Sequence, residues 1–118
     1  MLSLPSSVRV FVARERVDFR KGFDGLCAIV RDQFGDDPLS GHLYLFFNAR
    51  GNRVKILVWD GSGLVLVWKQ LEGGAFRWPR VVDGVLRLTP VEFAALFDGI
   101  DWTRVQSTKR IPIPVAAA

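Results

Sequence analysis

The sequence predicts an α+β fold: an antiparallel sheet of about four to five strands, arranged as a hairpin meander, packed on one long helix, with a short C-terminal helix. Three observations predict it. Short apolar strands with tight glycine turns fill residues 42–71, an apolar stripe of helical spacing precedes them, and a helix-capping motif follows them. The 118 residues suit one domain with its own core. We assign residues 1–102 to that domain and residues 103–118, which lack periodicity, to a flexible basic tail.

The first strand and the long helix occupy the N-terminal third of the chain. Residues 8–13, "VRVFVA", alternate between apolar and polar side chains and predict a strand. The next periodic segment predicts a helix over residues 18–35, with Asp18 as N-cap and Gly35 at its end. Its apolar stripe consists of Phe19, Phe23, Leu26, Cys27, Val30 and Phe34.

Three further strands follow at residues 42–48, 53–59 and 64–71, and a short one is expected at "FRW", residues 76–78. Two-residue turns would fix their register. The expected pairs are Phe47 with Val54, Leu45 with Ile56, Leu43 with Val58, Val58 with Val65, and Ile56 with Val67. These side chains would form one apolar face, on which we expect the helix of residues 18–35 to pack.

The opposite face of the same strands is also mostly apolar, but a lysine sits among its aromatic side chains. Its members are His42, Tyr44, Phe46, Asn48, Arg53, Lys55, Leu57, Trp59, Leu64, Leu66, Trp68 and Gln70. A monomer rarely exposes so large an apolar surface, so something is expected to cover it.

The capping motif predicts the C-terminal helix. Thr89 and Glu92 have capping-box spacing, Pro90 stands at the first helical position, and Gly99 suits the position after the helix. This helix could cover part of the second sheet face. If it and residues 79–88 cover the whole face, the tryptophans there are core residues; otherwise a partner is expected to cover the remainder.

The excess positive charge is concentrated in residues 50–80, which carry six basic and two acidic side chains, whereas the net charge of the chain is +4. Such a segment suits a polyanion, although an ordinary solvated surface would look the same. For DNA, phosphate contacts would come from Arg53, Lys55, Lys69, Arg77 and Arg80. Unpaired bases would stack on Tyr44, Trp59 and Trp68.

The sequence offers little for catalysis. Cys27 and His42 are the only residues of their kinds, which argues against a zinc site and a Cys–His pair, and we expect no metal, cofactor or small-molecule substrate. Asp60 suits a turn better than a group of catalytic acids. No apolar run is long enough to span a membrane, no signal peptide is expected, and the lone cysteine suits the cytoplasm.

The stretch "DFRKGFDGL", residues 18–26, places two glycines in the expected helix. Glycine there costs about 1 kcal/mol relative to alanine, so it suggests a close approach. That approach could be a neighbouring strand, or it could be a partner. The second reading gives a contact surface made of Arg20, Lys21, Gly22, Asp24 and Gly25.

The segments "RKGFDGL" and "SGHL", the strand pair around "VWDGSGL", and "LEGGAFRWP" occur together in that order. With this combination the chain resembles an accessory protein of the sixty-six family of bacterial insertion sequences. That protein is the product of the second reading frame of the element and is of the transposase B type. The resemblance runs from about residue 8 to residue 102. It implies a non-enzymatic protein, encoded beside a separate transposase and needed for transposition, with no catalytic residues to carry over.

Two hypotheses follow. In the first, the chain is a transposition accessory factor that binds DNA, the transposase of the same element, or both. In the second, it is a protein-interaction module whose aromatic sheet face forms a homodimer or binds the transposase without touching DNA, since aromatic residues and arginine are also enriched at protein interfaces. A catalytic nuclease subunit, the weakest reading, would need converging carboxylates that the sequence does not place.

Overall fold

The computed structural model describes residues 7–77 and 86–103. Its strands are β1 (Val10–Val12), β2 (Leu43–Phe47), β3 (Arg53–Trp59), β4 (Leu64–Gln70) and β5 (Leu86–Leu88), and its helices are α1 (Phe23–Ile29) and α2 (Pro90–Phe97). The strands form one sheet in the order β4-β3-β2-β1-β5. The chain is therefore an α+β protein, as predicted.

The register of the β2–β3–β4 meander is confirmed. Phe47 pairs with Val54 and Leu45 with Ile56, and Ile56 in turn pairs with Val67. The β2–β3 ladder ends at Tyr44, so the pair expected at Leu43 lies beyond it. Gly51 takes a φ of 75° in the first turn, a conformation that disfavours any side chain, and this glycine explains why the hairpin closes there.

The prediction of an antiparallel sheet is wrong at its other end. β1 runs parallel to β2, and β5, which the sequence did not reveal, runs antiparallel to β1. Parallel neighbours need a long crossover, and the segment that contains α1 supplies it. The sheet is therefore mixed. Residues 76 and 77 of the expected "FRW" strand are not in a strand, and residue 78 lies outside the described part of the chain.

The first helix is shorter than predicted. It begins at Phe23, after Gly22, and continues beyond α1 as a π-helical turn over Val30–Phe34, which gives 12 helical residues in place of 18. Asp18 does not cap it: its carboxylate accepts hydrogen bonds from the backbone and side chain of Arg20, in a separate turn. The predicted end is correct, since Gly35 closes the helix with a φ of 64°.

The two helices lie on opposite faces of the sheet. The prediction of which face the first helix packs on is wrong. α1 packs on the second face, against Tyr44, Phe46 and Leu57. α2 packs on the face that contains Leu45 and Ile56. The sequence could not show which face the helix covers, because both faces of β2 are apolar. All five of its side chains are buried.

The capping box of α2 is confirmed. The side chain of Thr89 accepts from the backbone N–H of Glu92, and the Glu92 carboxylate accepts from the backbone N–H of Thr89, at 3.2 and 2.8 Å. Gly99 follows with a φ of 78°. The predicted flexible tail falls almost wholly on residues 104–118, outside the described residues.

Candidate partner-binding surface

The lysine of the second sheet face is buried and has a structural role. Only 5% of Lys55 is exposed. Its ammonium donates hydrogen bonds to the backbone carbonyls of Phe19 and Lys21, at 2.7 and 2.9 Å. Burial holds the pKa of the Lys55 amine below its usual value, because the charged form loses hydration. Lys55 thus fastens the turn before α1 onto the sheet.

Trp68 lies directly beside this lysine and remains 56% exposed. It pairs with Lys55 across the β3–β4 ladder, and the lysine nitrogen lies 5.0 Å from the centre of its ring. The ring of Phe19 meets it edge-on at 6.0 Å between ring centres. A large aromatic side chain is therefore exposed to solvent in a fixed position, with a cation and a second ring against it.

Other exposed residues lie close to Phe19 in the sequence or on the same face of the strands as Trp68. Phe23 is 43% exposed at the start of α1, and Lys21 is exposed in the preceding turn. Arg20 forms an ion pair with Asp18 at 2.6 Å, which lowers the pKa of the Asp18 carboxyl to about 2, mainly through the side-chain hydrogen bond. We call the following set the Trp68 surface: Phe19, Arg20, Lys21, Phe23, Arg53 and Trp68.

The residues predicted to contact nucleic acid are mostly engaged within the protein. Tyr44 is fully buried, so its ring has no free side for stacking. Its hydroxyl donates to the Asp36 carboxylate at 2.6 Å and lies 2.8 Å from the hydroxyl of Ser40. Burial, together with the Asp36 bond, raises the pKa of the Tyr44 phenol. Trp59 is half-buried at the end of β3.

The predicted phosphate contacts are scattered and largely engaged. Lys69 donates to the carbonyl of Phe97 at 2.7 Å, on the α2 side of the sheet. Arg53 donates from Nε to the side chain of Gln70 at 2.9 Å. Arg77 is exposed, and its carbonyl accepts from the indole of Trp102. Arg80 lies outside the described residues.

The "RKGFDGL" stretch lies partly in the turn and partly in α1. Gly22 precedes the helix, and an added Cβ would meet nothing within 4 Å, so close packing by a strand does not explain it. At Gly25 an added Cβ would lie 3.1 Å from the side chain of Lys21. Asp24 is exposed on the first helical turn. Gly25 thus leaves room for the side chain of Lys21, whereas Gly22 faces open space.

The surroundings of Cys27 and Asp60 in the structure explain both residues. Cys27 is buried, and burial raises the pKa of its thiol. The carboxylate of Asp60 accepts backbone hydrogen bonds from Ser62 and Gly63, as its turn role predicts, and these bonds lower its pKa. Within residues 7–77 and 86–103, no group of three or more His, Cys, Asp or Glu side chains could hold a metal. No helix there is long and apolar enough to cross a membrane.

Sequence reasoning missed the positions of Phe19 and Phe23. Both were assigned to the apolar stripe of a helix starting at Asp18, yet Phe19 lies outside the helix and Phe23 is 43% exposed. The signal was Gly22, a poor interior helix residue whose position marks where the helix begins.

Comparison with known proteins identifies the family. The model of the IS66 Orf2-like protein family matches residues 8–107. Two uncharacterized proteins of Sinorhizobium fredii are similar over nearly their whole lengths. One, y4jC, is 42% identical over 96% of this chain and 94% of its own, and the other, y4hO, is 36% identical over 93% and 96%. No solved structure matches. The chain belongs to the IS66 Orf2-like family of insertion-sequence proteins.

Proposed function

We propose that this protein is a non-catalytic accessory factor for transposition of its insertion sequence, and that it works by binding the transposase of the same element through the Trp68 surface. Family membership supports the link to an insertion sequence. The observation that carries the binding role is the 56% exposure of Trp68 in a position fixed by its neighbours.

A fixed, exposed tryptophan has the properties of an interface anchor. Binding energy at protein interfaces is concentrated in a few residues, with tryptophan, tyrosine and arginine enriched among them. The contacts of Trp68 with Phe19 and Lys55 restrict its ring before any partner arrives. Little side-chain entropy is then lost on binding, which favours affinity.

The engagement of the basic residues favours a protein partner over DNA. The ammonium groups of Lys55 and Lys69 donate hydrogen bonds to backbone carbonyls, and the Arg53 side chain donates one to Gln70. A surface that binds phosphates needs cations free to replace counterions. Arg20, moreover, already has a carboxylate partner in Asp18.

DNA binding is the second candidate, and the exposure of both Lys21 and Trp68 supports it. Exposed cations together with an exposed aromatic ring are the combination that binds single strands by phosphate contact and stacking. In this version Trp68 would stack on a base while Lys21 and Arg77 contact phosphates. Cofactors, metals and catalytic residues have no part in either proposal.

The test compares Trp68→Ala with a matched control, Val91→Ala. Val91 is 53% exposed but lies on α2, on the opposite face of the sheet. Binding of each purified variant to the transposase, and separately to single- and double-stranded DNA over a salt series, would be measured by fluorescence anisotropy. Circular dichroism would establish that both variants are folded.

We expect Trp68→Ala to weaken transposase binding by about tenfold or more, since removing an anchor residue costs about 2 kcal/mol, and Val91→Ala to leave it unchanged. Equal binding by wild type and Trp68→Ala would overturn the role of the Trp68 surface. Salt-sensitive DNA binding that depends on Trp68, without transposase binding, would replace the first candidate with the second.

A further inference from the structure

β4 forms one edge of the sheet. Its ladder partner is β3, and within residues 7–77 and 86–103 no other strand pairs with it. An edge strand exposes a row of backbone N–H and C=O groups that can pair with another strand. At seven residues, β4 shares with β3 the greatest strand length among the described strands.

The hydrogen bonds at both ends of the β3–β4 hairpin show which residues face the edge. The backbone of Leu71 donates to Asn52 at 2.9 Å, and that of Asp60 to Gly63 at 3.0 Å. Bonded pairs alternate with non-bonded pairs in an antiparallel ladder, so residues 65, 67 and 69 bond β3. The backbone groups of residues 64, 66, 68 and 70 therefore point away from β3, toward the edge.

This edge lacks the features by which proteins prevent strand pairing. Such features are proline, bulges, very short strands and charged side chains, above all lysine. β4 contains no proline, and its register with β3 is continuous over seven pairs. Its one charged residue, Lys69, is directed to the carbonyl of Phe97. Meanwhile Trp68 and Val65, at 56% and 37%, are among the most exposed apolar side chains.

We propose that β4 pairs with β4 of a second copy of this chain, antiparallel and about a two-fold axis through Val67. With the strands fully overlapped, residue 66 faces residue 68 of the other copy, and residue 64 faces residue 70. All four have outward-pointing backbone groups, so each gives one N–H and one C=O to the partner copy. The strand is thus complementary to itself, as a two-fold interface requires.

The side chains of β4 favour pairing with β4 of a second copy over pairing with an acidic strand. In the overlapped register Leu66 lies opposite Trp68 and Val67 opposite Val67, which are favourable cross-strand pairs. Lys69 lies opposite Val65, so no two like charges face each other. An acidic strand would gain little at this edge because the single β4 cation is already bonded to Phe97.

The dimer has a consequence for the Trp68 surface. The two Trp68 residues would lie diagonally across the axis on one face of a continuous sheet, about 7–8 Å apart, with their Cβ atoms somewhat closer. Each copy would then contribute its turn before α1 to one larger surface. The dimer itself does not depend on the proposed function, because it rests on the edge of β4 and not on the identity of a partner.

Cysteine crosslinking tests the register. In the proposed dimer the residue 67 positions face each other as a non-hydrogen-bonded pair, with Cα atoms about 4.5 Å apart, within the range of a disulfide. Val67→Cys should therefore form covalent dimers under mild oxidation. Val65→Cys, on the same face of the same strand, is the control and should not, because its counterpart lies four residues away, about 13 Å along the strand. The native Cys27 is buried in both variants.

A second pair of variants separates backbone pairing from side-chain contact. Trp68→Pro and Trp68→Ala both remove the indole, but only proline also removes the outward N–H, which β3 does not use. Analytical ultracentrifugation of the full chain should show a dimer for the wild type. It should show weaker dimerisation for Trp68→Ala and a monomer for Trp68→Pro, with circular dichroism unchanged.

Three results would overturn the proposal. The first is a wild-type monomer at about 100 μM, a concentration that populates even weak dimers with a Kd near 10 μM. The second is equal crosslinking at residues 65 and 67, since that reports random collision. The third is a monomer that dimerises only after residues 104–118 are removed, because the tail, and not a second copy, would then occupy the edge.

Discussion

The ammonium of Lys55 lies 5.0 Å from the centre of the Trp68 ring and is hydrogen-bonded to two backbone carbonyls of the turn before α1. This relationship links the sheet to the turn and explains why a lysine sits on an apolar sheet face. The charge stabilises the turn and the ring of an exposed tryptophan, and is not directed to solvent. The basic, aromatic character of the sequence here is thus partly structural.

Replacement of Lys55 tests that structural role. Lys55→Met keeps most of the side-chain volume and removes the donor to the carbonyls of Phe19 and Lys21. We expect a loss of about 1–3 kcal/mol in the free energy of unfolding, the usual cost of leaving a buried polar group without its hydrogen-bond partner. Urea unfolding measures it. Lys21→Met, at an exposed side chain, is the control and should change stability by less than about 0.5 kcal/mol; equal effects would refute the assignment.

The pH dependence of Tyr44 is a second prediction. The pKa of this phenol is raised above its ordinary value of 10.0 by burial and by its bond to Asp36. The folded state therefore favours the protonated phenol, and this contribution to stability is complete below pH 10.0 and lost as the pH rises toward the folded pKa.

Tyr44 is the only tyrosine, so tyrosinate absorbance reports it alone. The folded protein should ionise clearly above pH 10.0 and the urea-unfolded protein near it. In Tyr44→Phe the alkaline loss of stability should be smaller. Ionisation of the folded protein at the ordinary value would mean that Tyr44 is accessible to water and that its buried position is wrong.

The capping box gives a third prediction. Thr89→Ala removes the acceptor for the backbone N–H of Glu92 at the start of α2. The expected loss is about 1 kcal/mol in the free energy of unfolding. Thr89→Ser, which keeps the hydroxyl, is the control and should retain most of the stability. Chemical denaturation of both variants measures the difference, and a neutral Thr89→Ala would show that this cap is dispensable.

The turn between β2 and β3 gives a fourth prediction. Gly51 has a φ of 75°, where an L-residue is strained. Gly51→Ala should cost about 1–2 kcal/mol. Gly22→Ala, at a φ of −102° with open space around the added Cβ, should cost less, and comparison of the two by thermal unfolding isolates the backbone effect. A larger loss at residue 22 than at residue 51 would contradict the backbone assignment.

The parts of the fold that depend on local rules could be predicted. The hairpin register follows from loop length, and the pairing of Phe47 with Val54 and of Ile56 with Val67 was correct. The capping box at Thr89 was correct for the same reason, since its residues are three apart in sequence. The two sets of side chains that share a sheet face were also correctly separated, because strand alternation fixes them.

The parts of the fold that depend on contacts between residues far apart in sequence could not be predicted. Both faces of β2 are buried, so alternation did not say which helix covers which face. The parallel pairing of β1 with β2 and the strand β5 depend on residues far apart in sequence. At the candidate site, the sequence placed Trp68 and Lys55 on the same face of the sheet. It did not show that Lys55 points at a backbone turn, because nothing in the sequence marks the carbonyl of Phe19 as its partner.

The most direct test of the proposed role of the Trp68 surface is the transposition frequency of the intact element in cells that produce wild type, Trp68→Ala or Val91→Ala. Immunoblotting would establish equal amounts of each protein. The account predicts that Trp68→Ala lowers the frequency by about tenfold or more, as expected for loss of an anchor residue, and that Val91→Ala leaves it at the wild-type level. A wild-type frequency for Trp68→Ala would contradict the account.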